Sequence, residues 1–322
     1  MTPSRPAPRL WLTDLPVVVV AAVWGSSYLS VKHIATEADV IPLLVLRFAV
    51  ALLPMGLLVA RRLRRLSPAE IGGGLVLGVI LAAIFLLETY GVVHTSATNA
   101  GLIISLTMVL TPLAEGLLNR SRPSGAFLAA AALSVLGVAL LTEGAGFHRP
   151  NAGDLLVLGA AAVRALHVVV MHRMRSVRRT DAGTLTFVQL AASLAVFALI
   201  SPFVGAAPWH LAGSFGRGQW IDLLYLGLIC TVFAFFVQMW AVRRTSPSRV
   251  SLLLGTEPLW AALIGVLIGG DRLGAVGALG AVLVLAGTTW GRTAAGTGAM
   301  DHDEGGTVAA ELHAPTDALV GA

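Results

Sequence analysis

Residues 71–92 read IGGGLVLGVILAAIFLLETYGV, twenty-two positions with a single charge, Glu88. At 1.5 Å of rise per residue a helix of that length crosses a hydrocarbon core of about 30 Å. Its start is marked by Ser67-Pro68-Ala69-Glu70, a capping box with proline at the first helical position. Working outward, nine more stretches of the same character follow the same rhythm. The ten spans are approximately 15–33, 42–60, 71–92, 98–118, 124–142, 154–172, 183–203, 219–241, 250–268 and 273–291. One soluble core cannot use so many fully apolar segments, so the chain reads as an all-α polytopic membrane protein with ten transmembrane helices.

Composition agrees. Hydrophobic residues make up 56% of the 322 and charged residues 12%, against roughly a quarter charged in a soluble domain. The net charge of +5 does not indicate nucleic acid, because the basic residues sit in short loops beside spans, where they set orientation. The single cysteine, Cys230, excludes an internal disulfide and a paired-thiol metal site. No Walker loop and no HExxH occurs, so no cofactor and no metal are expected. Arg5 and Arg9 ahead of the first span give it some likeness to a signal peptide, but its length, and the topology that needs it, argue that it stays.

With the N-terminus in the cytoplasm, sixteen basic residues fall on the cytoplasmic side: Arg5, Arg9, Arg61, Arg62, Arg64, Arg65, Arg120, Arg122, Arg173, Arg175, Arg178, Arg179, Arg243, Arg244, Arg249 and Arg292. Four, Lys32, Arg149, Arg217 and Arg272, fall outside, and Arg47 and Arg164 fall within spans. That bias places both termini in the cytoplasm and the protein in the cell membrane. The segments are then a cytoplasmic tail (1–14), a first repeat of five helices (15–142), an external loop (143–153), a second repeat (154–291) and a cytoplasmic tail (292–322). The last is rich in Gly, Ala and acidic residues without periodicity, and reads as disordered.

Residues 95–137 align with 245–287 at an offset of 150. Nine of the 43 positions are identical, among them Thr95/Thr245, Leu113/Leu263, Arg122/Arg272 and Gly137/Gly287. Glu88 falls opposite Gln238 at the same offset, and Arg47 occupies in span two the place of Gln189 in span seven. Five spans per repeat is an odd number, so the second copy enters the membrane from the other side. Inverted repeats around a midplane site are the pattern of secondary transporters.

Several motifs now resemble one family. Val23-Trp24-Gly25-Ser26-Ser27-Tyr28 in span one is similar to the WGSS/T signature of the EamA family, within the drug/metabolite transporter superfamily. So are Arg47, the HTSA turn at His94 to Ala97, and Thr256-Glu257-Pro258-Leu259-Trp260. The turn from Gly269 to Arg272 resembles the family's GER. The resemblance covers residues 15–291. It implies spans one to four and six to nine around a central cavity, spans five and ten outside, and a metabolite exporter or permease. The chain departs from the pattern at Arg120-Ser121-Arg122, where a Glu is usual, and at Arg164, where an aromatic often sits.

A charge at membrane depth costs several kcal/mol unless paired or hydrated, so each is a functional candidate. Arg164 and His167 share a face of span six at i, i+3. Arginine forks onto carboxylate or phosphate, and histidine changes charge near neutral pH. Together they could hold an anionic or zwitterionic substrate, or Arg164 could pair structurally with Glu257. Glu257 precedes Pro258, a residue that can kink span nine. A carboxyl group out of water holds a proton more readily, which suits it to coupling. Arg47 and Glu88 lie at similar depth and could form a salt bridge or a gate. Trp24, Ser27, Tyr28, Gln238 and Trp240 complete the candidate substrate-binding set, the aromatics because rings stack on planar ligands. Gly74/Gly78, Gly265/Gly269 and Gly287/Gly291 have the spacing that lets helices approach closely, within the chain or across a homodimer.

The function expected is secondary-active transport of small metabolites such as amino acids or drug-like compounds, directed outward, with protons as coupling ion and the bilayer as environment. A lipid or lipid-carrier translocator of the same fold is the alternative. An intramembrane enzyme has only the buried acid–base groups in its support.

Overall fold

The computed structural model describes residues 11–120, 124–143, 151–244 and 253–291. The expected external loop at 144–150, both tails (1–10 and 292–322), and the register pairs that use Arg122, Thr245, Ser246 or Leu252 lie outside the described residues.

Helices account for the described fold. They are α1 (Trp11–Ile34), α2 (Val40–Leu63), α3 (Pro68–His94), α4 (Ala97–Ile104), α5 (Thr107–Asn119), α6 (Gly125–Glu143) and α7 (Ala152–Arg173). Then follow α8 (Arg175–Arg179), α9 (Ala182–Ile200), α10 (Pro208–Ser214), α11 (Arg217–Leu224), α12 (Ala234–Arg244), α13 (Glu257–Leu267) and α14 (Ala275–Gly291). A π-helical segment, Tyr225–Phe233, joins α11 to α12. Each of the ten expected spans contains helix. Seven segments are long and apolar enough to cross a membrane, and three shorter apolar helices lie at Gly125–Gly137, Glu257–Leu267 and Ala275–Gly291.

The start of α3 is as the sequence dictates: the Ser67 side chain accepts from the Glu70 amide, and the Glu70 carboxylate accepts from the Ser67 amide at 2.9 Å. A second capping box, Asn151 with Asp154, starts α7; its N-x-x-D spacing is readable in the sequence but is less conspicuous than a Ser–Glu pair. Polar contacts sort into two ends. At one, Lys32 donates to the Thr95 carbonyl, His33 meets Asp222, and the Asp271 carboxylate accepts from the Thr98 amide at 2.9 Å. At the other, Arg62 pairs with Asp181 at 2.5 Å and Thr180 donates to Glu70 at 3.2 Å.

Among the described residues, two spans are interrupted by a turn. The fourth breaks at Ser105-Leu106, between α4 and α5, and the ninth breaks at Gly255-Thr256, ahead of α13. These positions differ by 150, the offset of the repeat. The bonding matches too. Leu106 donates its amide to Ile103 at 3.0 Å and Thr256 to Leu253 at 3.1 Å, while Val109 and Leu259 donate to Leu106 and Thr256 at 2.9 and 3.0 Å. Hydroxyls of Ser105, Thr107 and Thr256 satisfy carbonyls at the breaks, which hydrocarbon could not. The expectation that Pro258 kinks a continuous helix is therefore corrected. It stands in the first turn of α13, where a missing N–H removes no bond.

Glycines bring the helices into backbone contact. A Cβ on Gly78 would lie 2.5 Å from the Ala192 Cβ and 2.7 Å from the Gln189 carbonyl oxygen, and one on Gly74 2.5 Å from Val188. The stripe at Gly74/Gly78 thus seats α3 on α9 of the same chain. Gly137 and Gly287 do the same for α6 and α14, reciprocally: Gly137 faces Gly280 and Val284, while Gly287 faces Ala130 and Ser134. Those partners are again 150 apart, so the contact is self-complementary about a local two-fold relation.

Replacing Gly137 with Leu should lower the thermal unfolding midpoint of the detergent-solubilised protein clearly. A Cβ there would lie 2.5 Å from the Val284 amide nitrogen, which is backbone, and overpacking costs about 1–3 kcal/mol or more. Gly72→Leu, with nothing within 4 Å of the added Cβ, should be neutral or better. Equal midpoints for the two variants would refute the α6–α14 contact.

Candidate functional site

The polar groups at depth sit between α1, α2, α3, α7, the π-helical segment and the start of α13. The tight approach of α3 and α7 sets their positions. A Cβ on Gly91 would meet Val157 at 2.6 Å and the Gly153 carbonyl at 2.9 Å. One turn deeper along this antiparallel pair, Glu88 faces Arg164, and the Arg164 guanidinium donates to the Glu88 carboxylate at 2.5 Å. The partner of Arg164 is thus Glu88 rather than Glu257, because α3 and not span nine packs along α7 at this depth. Charge-assisted hydrogen bonds of this kind are stronger than neutral ones.

Glu257 takes a different contact. As the first residue of α13 it emerges at the helix break, and its Oε1 accepts a hydrogen bond from the Tyr28 hydroxyl at 2.9 Å. Close packing of α1 on this segment makes the approach possible: a Cβ on Gly25 would lie 2.7 Å from the Ala261 amide and 2.9 Å from the Glu257 carbonyl.

Arg47 forms no salt bridge with Glu88, which is spent on Arg164. Its guanidinium stacks over the Phe85 ring, 4.9 Å from the centroid, a favourable cation–π arrangement. Only 7% of Arg47 is exposed and its Nε has no hydrogen-bond partner. Of the two arginines at depth, Arg164 has a carboxylate against it and Arg47 has an aromatic face and an unsatisfied donor.

The remaining candidates are spread more widely. The Trp24 indole donates to the Cys230 carbonyl at 2.8 Å, a carbonyl within the π-helical segment, and stacks edge-on against Phe235 with centroids 5.9 Å apart. The Ser27 hydroxyl donates back to the Trp24 carbonyl at 2.7 Å, so it serves its own helix. His167 shares a hydrogen bond of 2.9 Å with Gln189 on α9 rather than contacting Arg164 directly. Pro258 is buried behind Glu257. Gln238 and Trp240 lie on α12, with Trp240 packed near Val17, Leu253 and Leu254. Trp240 also lines a groove beside Arg62 and Asp181, at the end of the bundle away from Lys32 and His33.

Two participants were missed in the sequence. Tyr225 brings its hydroxyl within 2.6 Å of the Ser26 Oγ, and Thr107, the register mate of Glu257, donates to the Ile104 carbonyl at the other break at 2.8 Å. The offset of 150 could have found Thr107. Nothing in the sequence marks Tyr225, because a π-helical turn shifts the helix face and has no residue signature.

Comparison with known proteins identifies the family. The EamA-like transporter family matches residues 11–143 and again residues 151–290. An uncharacterized transporter of Archaeoglobus fulgidus is 26% identical over 272 residues, covering 84% of this chain and 83% of the relative. The uncharacterized transporter YcxC of Bacillus subtilis is 22% identical over 287 residues, covering 85% of this chain and 90% of the relative. A protein solved by crystallography superposes with a TM-score of 0.59 at 17% identity, over 88% of this chain and 96% of that one, a likeness of fold. With both halves of its sequence matched, the chain is a multi-pass membrane transporter and belongs to the EamA-like transporter family.

Proposed function

We propose that the protein is a secondary-active exporter of small metabolites, amino acids or drug-like compounds among them, working by alternating access with protons as the coupling ion. The observation that carries this reading is the pair of helix breaks at Ser105-Leu106 and Gly255-Thr256. Discontinuous helices at corresponding places in two inverted halves are where secondary transporters bind substrate, because unwound backbone and helix ends supply polar groups at the midplane. Here the break in span nine carries Glu257, with Tyr28 bonded to it.

In this reading two five-helix halves, residues 15–142 and 154–291, rock about that site in the cell membrane, both termini in the cytoplasm. Arg164 and Glu88 neutralise each other. Arg47, buried with an unsatisfied Nε, offers the positive charge to a substrate anion. Glu257 takes up and releases the proton. Its only side-chain partner among the described residues is a neutral hydroxyl, so protonation breaks no ion pair, whereas protonating Glu88 would strand Arg164.

Purified protein in liposomes should move substrate faster when a proton gradient is imposed, and Glu257→Gln should abolish that pH dependence. Dependence surviving intact in Glu257→Gln would contradict the role of Glu257. A metabolite panel read by thermal shift should give a ligand that stabilises the wild type by mass action, and Arg47→Gln should weaken that ligand about tenfold or more, the loss of one charge-assisted bond. An unchanged ligand shift in Arg47→Gln would remove Arg47 from the site. Arg164→Gln alone should destabilise by about 1–3 kcal/mol because it leaves the half-buried Glu88 carboxylate without its partner. Adding Glu88→Gln should recover most of that loss, as denaturant unfolding would show; no recovery would mean that the ion pair is not the source of the effect.

A further inference from the structure

Away from the central polar groups, α2, α9 and α12 leave a groove of about 410 Å³ between them, within the roughly 300–1,000 Å³ range of small-ligand sites. Its walls are apolar: Met55 and Leu58 from α2, Phe235 and Phe236 from α12, with Gly183 opening the floor in the first turn of α9. Leu58 is 63% exposed and Phe236 60% exposed. In a membrane-embedded bundle those side chains face acyl chains, so the groove opens sideways into lipid rather than into water. The rim is different. Arg62 stands there, paired with Asp181 at 2.5 Å yet with 62% of its side chain exposed. Arg61, Arg64 and Arg65 flank it at the same end of α2 and are exposed. Glu70, the other acid nearby, is turned into its own capping box and onto Thr180. The rim is therefore positive, with an apolar slot directly beneath it.

The geometry points to a binding site for one anionic phospholipid, its phosphate on Arg62 and the neighbouring arginines and an acyl chain in the groove. Charge and shape select the occupant together. A basic cluster at the membrane end of a helix attracts anionic headgroups, and a slot lined by Leu, Met and Phe accepts hydrocarbon but gives a soluble anion nothing to hold. Asp181 keeps its place when Arg62 turns to phosphate, because its carboxylate also accepts from the Thr184 amide at 3.2 Å and caps α9. The bound chain lies against Phe235, whose ring packs edge-on against Trp24, so the lipid sits one aromatic ring from the polar centre. This site rests on the membrane embedding of the chain and not on the transport reading.

Native mass spectrometry of the full chain, delipidated and offered phosphatidylglycerol or phosphatidylcholine of the same acyl composition, tests it. Phosphatidylglycerol should be retained about fivefold or more over phosphatidylcholine, the size of a single basic contact with an anionic lipid. Arg62→Gln should reduce that preference. Gly183→Leu should fill the slot and lower retention of both lipids, and Thr186→Leu serves as a second filling variant, since the Thr186 hydroxyl bonds only its own helix. Inorganic phosphate should not displace the lipid. Equal retention of the two lipids, or undiminished phosphatidylglycerol binding in the filled variants, would overturn the site, as would displacement by inorganic phosphate.

Discussion

Hydrocarbon offers no partner to a backbone carbonyl, an amide or a charge, and most of this fold follows from that constraint. Long helices satisfy their own backbone. Where two spans must break, at Ser105-Leu106 and Gly255-Thr256, hydroxyls of Ser105, Thr107 and Thr256 cap the exposed carbonyls. The same constraint governs the charges: Arg164 with Glu88, Glu257 with the Tyr28 hydroxyl, Arg47 on the face of Phe85. Each solution is local and each comes from a different helix pair. The polar centre is consequently a product of how the helices cross rather than of any one span.

Helix crossing in turn depends on small residues, since apolar burial does not drive helices together within lipid. Gly91 against Val157 sets the depth at which Glu88 meets Arg164, and Gly25 against Ala261 sets the approach of Tyr28 to Glu257. The reciprocal contact of Gly137 and Gly287 holds spans five and ten against each other, away from the polar centre. Glycine stripes that would also suit a dimer face are used within the chain at Gly74/Gly78 and Gly287.

Much of this was legible in the sequence because its physics is local or periodic. Span length fixes the membrane class, Ser67 with Glu70 fixes where α3 starts, and the offset of 150 exposes the two halves. Pairing was not legible. Depth along the spans set Glu88 beside Arg47 and left Arg164 to Glu257, and only the packing of α3 along α7 gives Glu88 to Arg164. The helix breaks were hidden for a different reason: Ser105-Leu106 and Gly255-Thr256 carry no proline of their own, and hydropathy does not register a turn whose carbonyls are capped internally. The π-helical turn at Tyr225–Phe233 is invisible for the same reason.

Alternating access between two inverted halves is the central claim, and it is tested most directly by distances. With Cys230, which is buried, replaced by Ser, spin labels at Glu37 and Gly270 report one end of the bundle and labels at Arg64 and Arg175 report the other. Pulsed electron resonance across a range of pH should show two distance populations at each end, one lengthening as the other shortens. A single unchanging distribution at both ends, in protein that still transports, would contradict rocking of the halves about Glu257 and Tyr28.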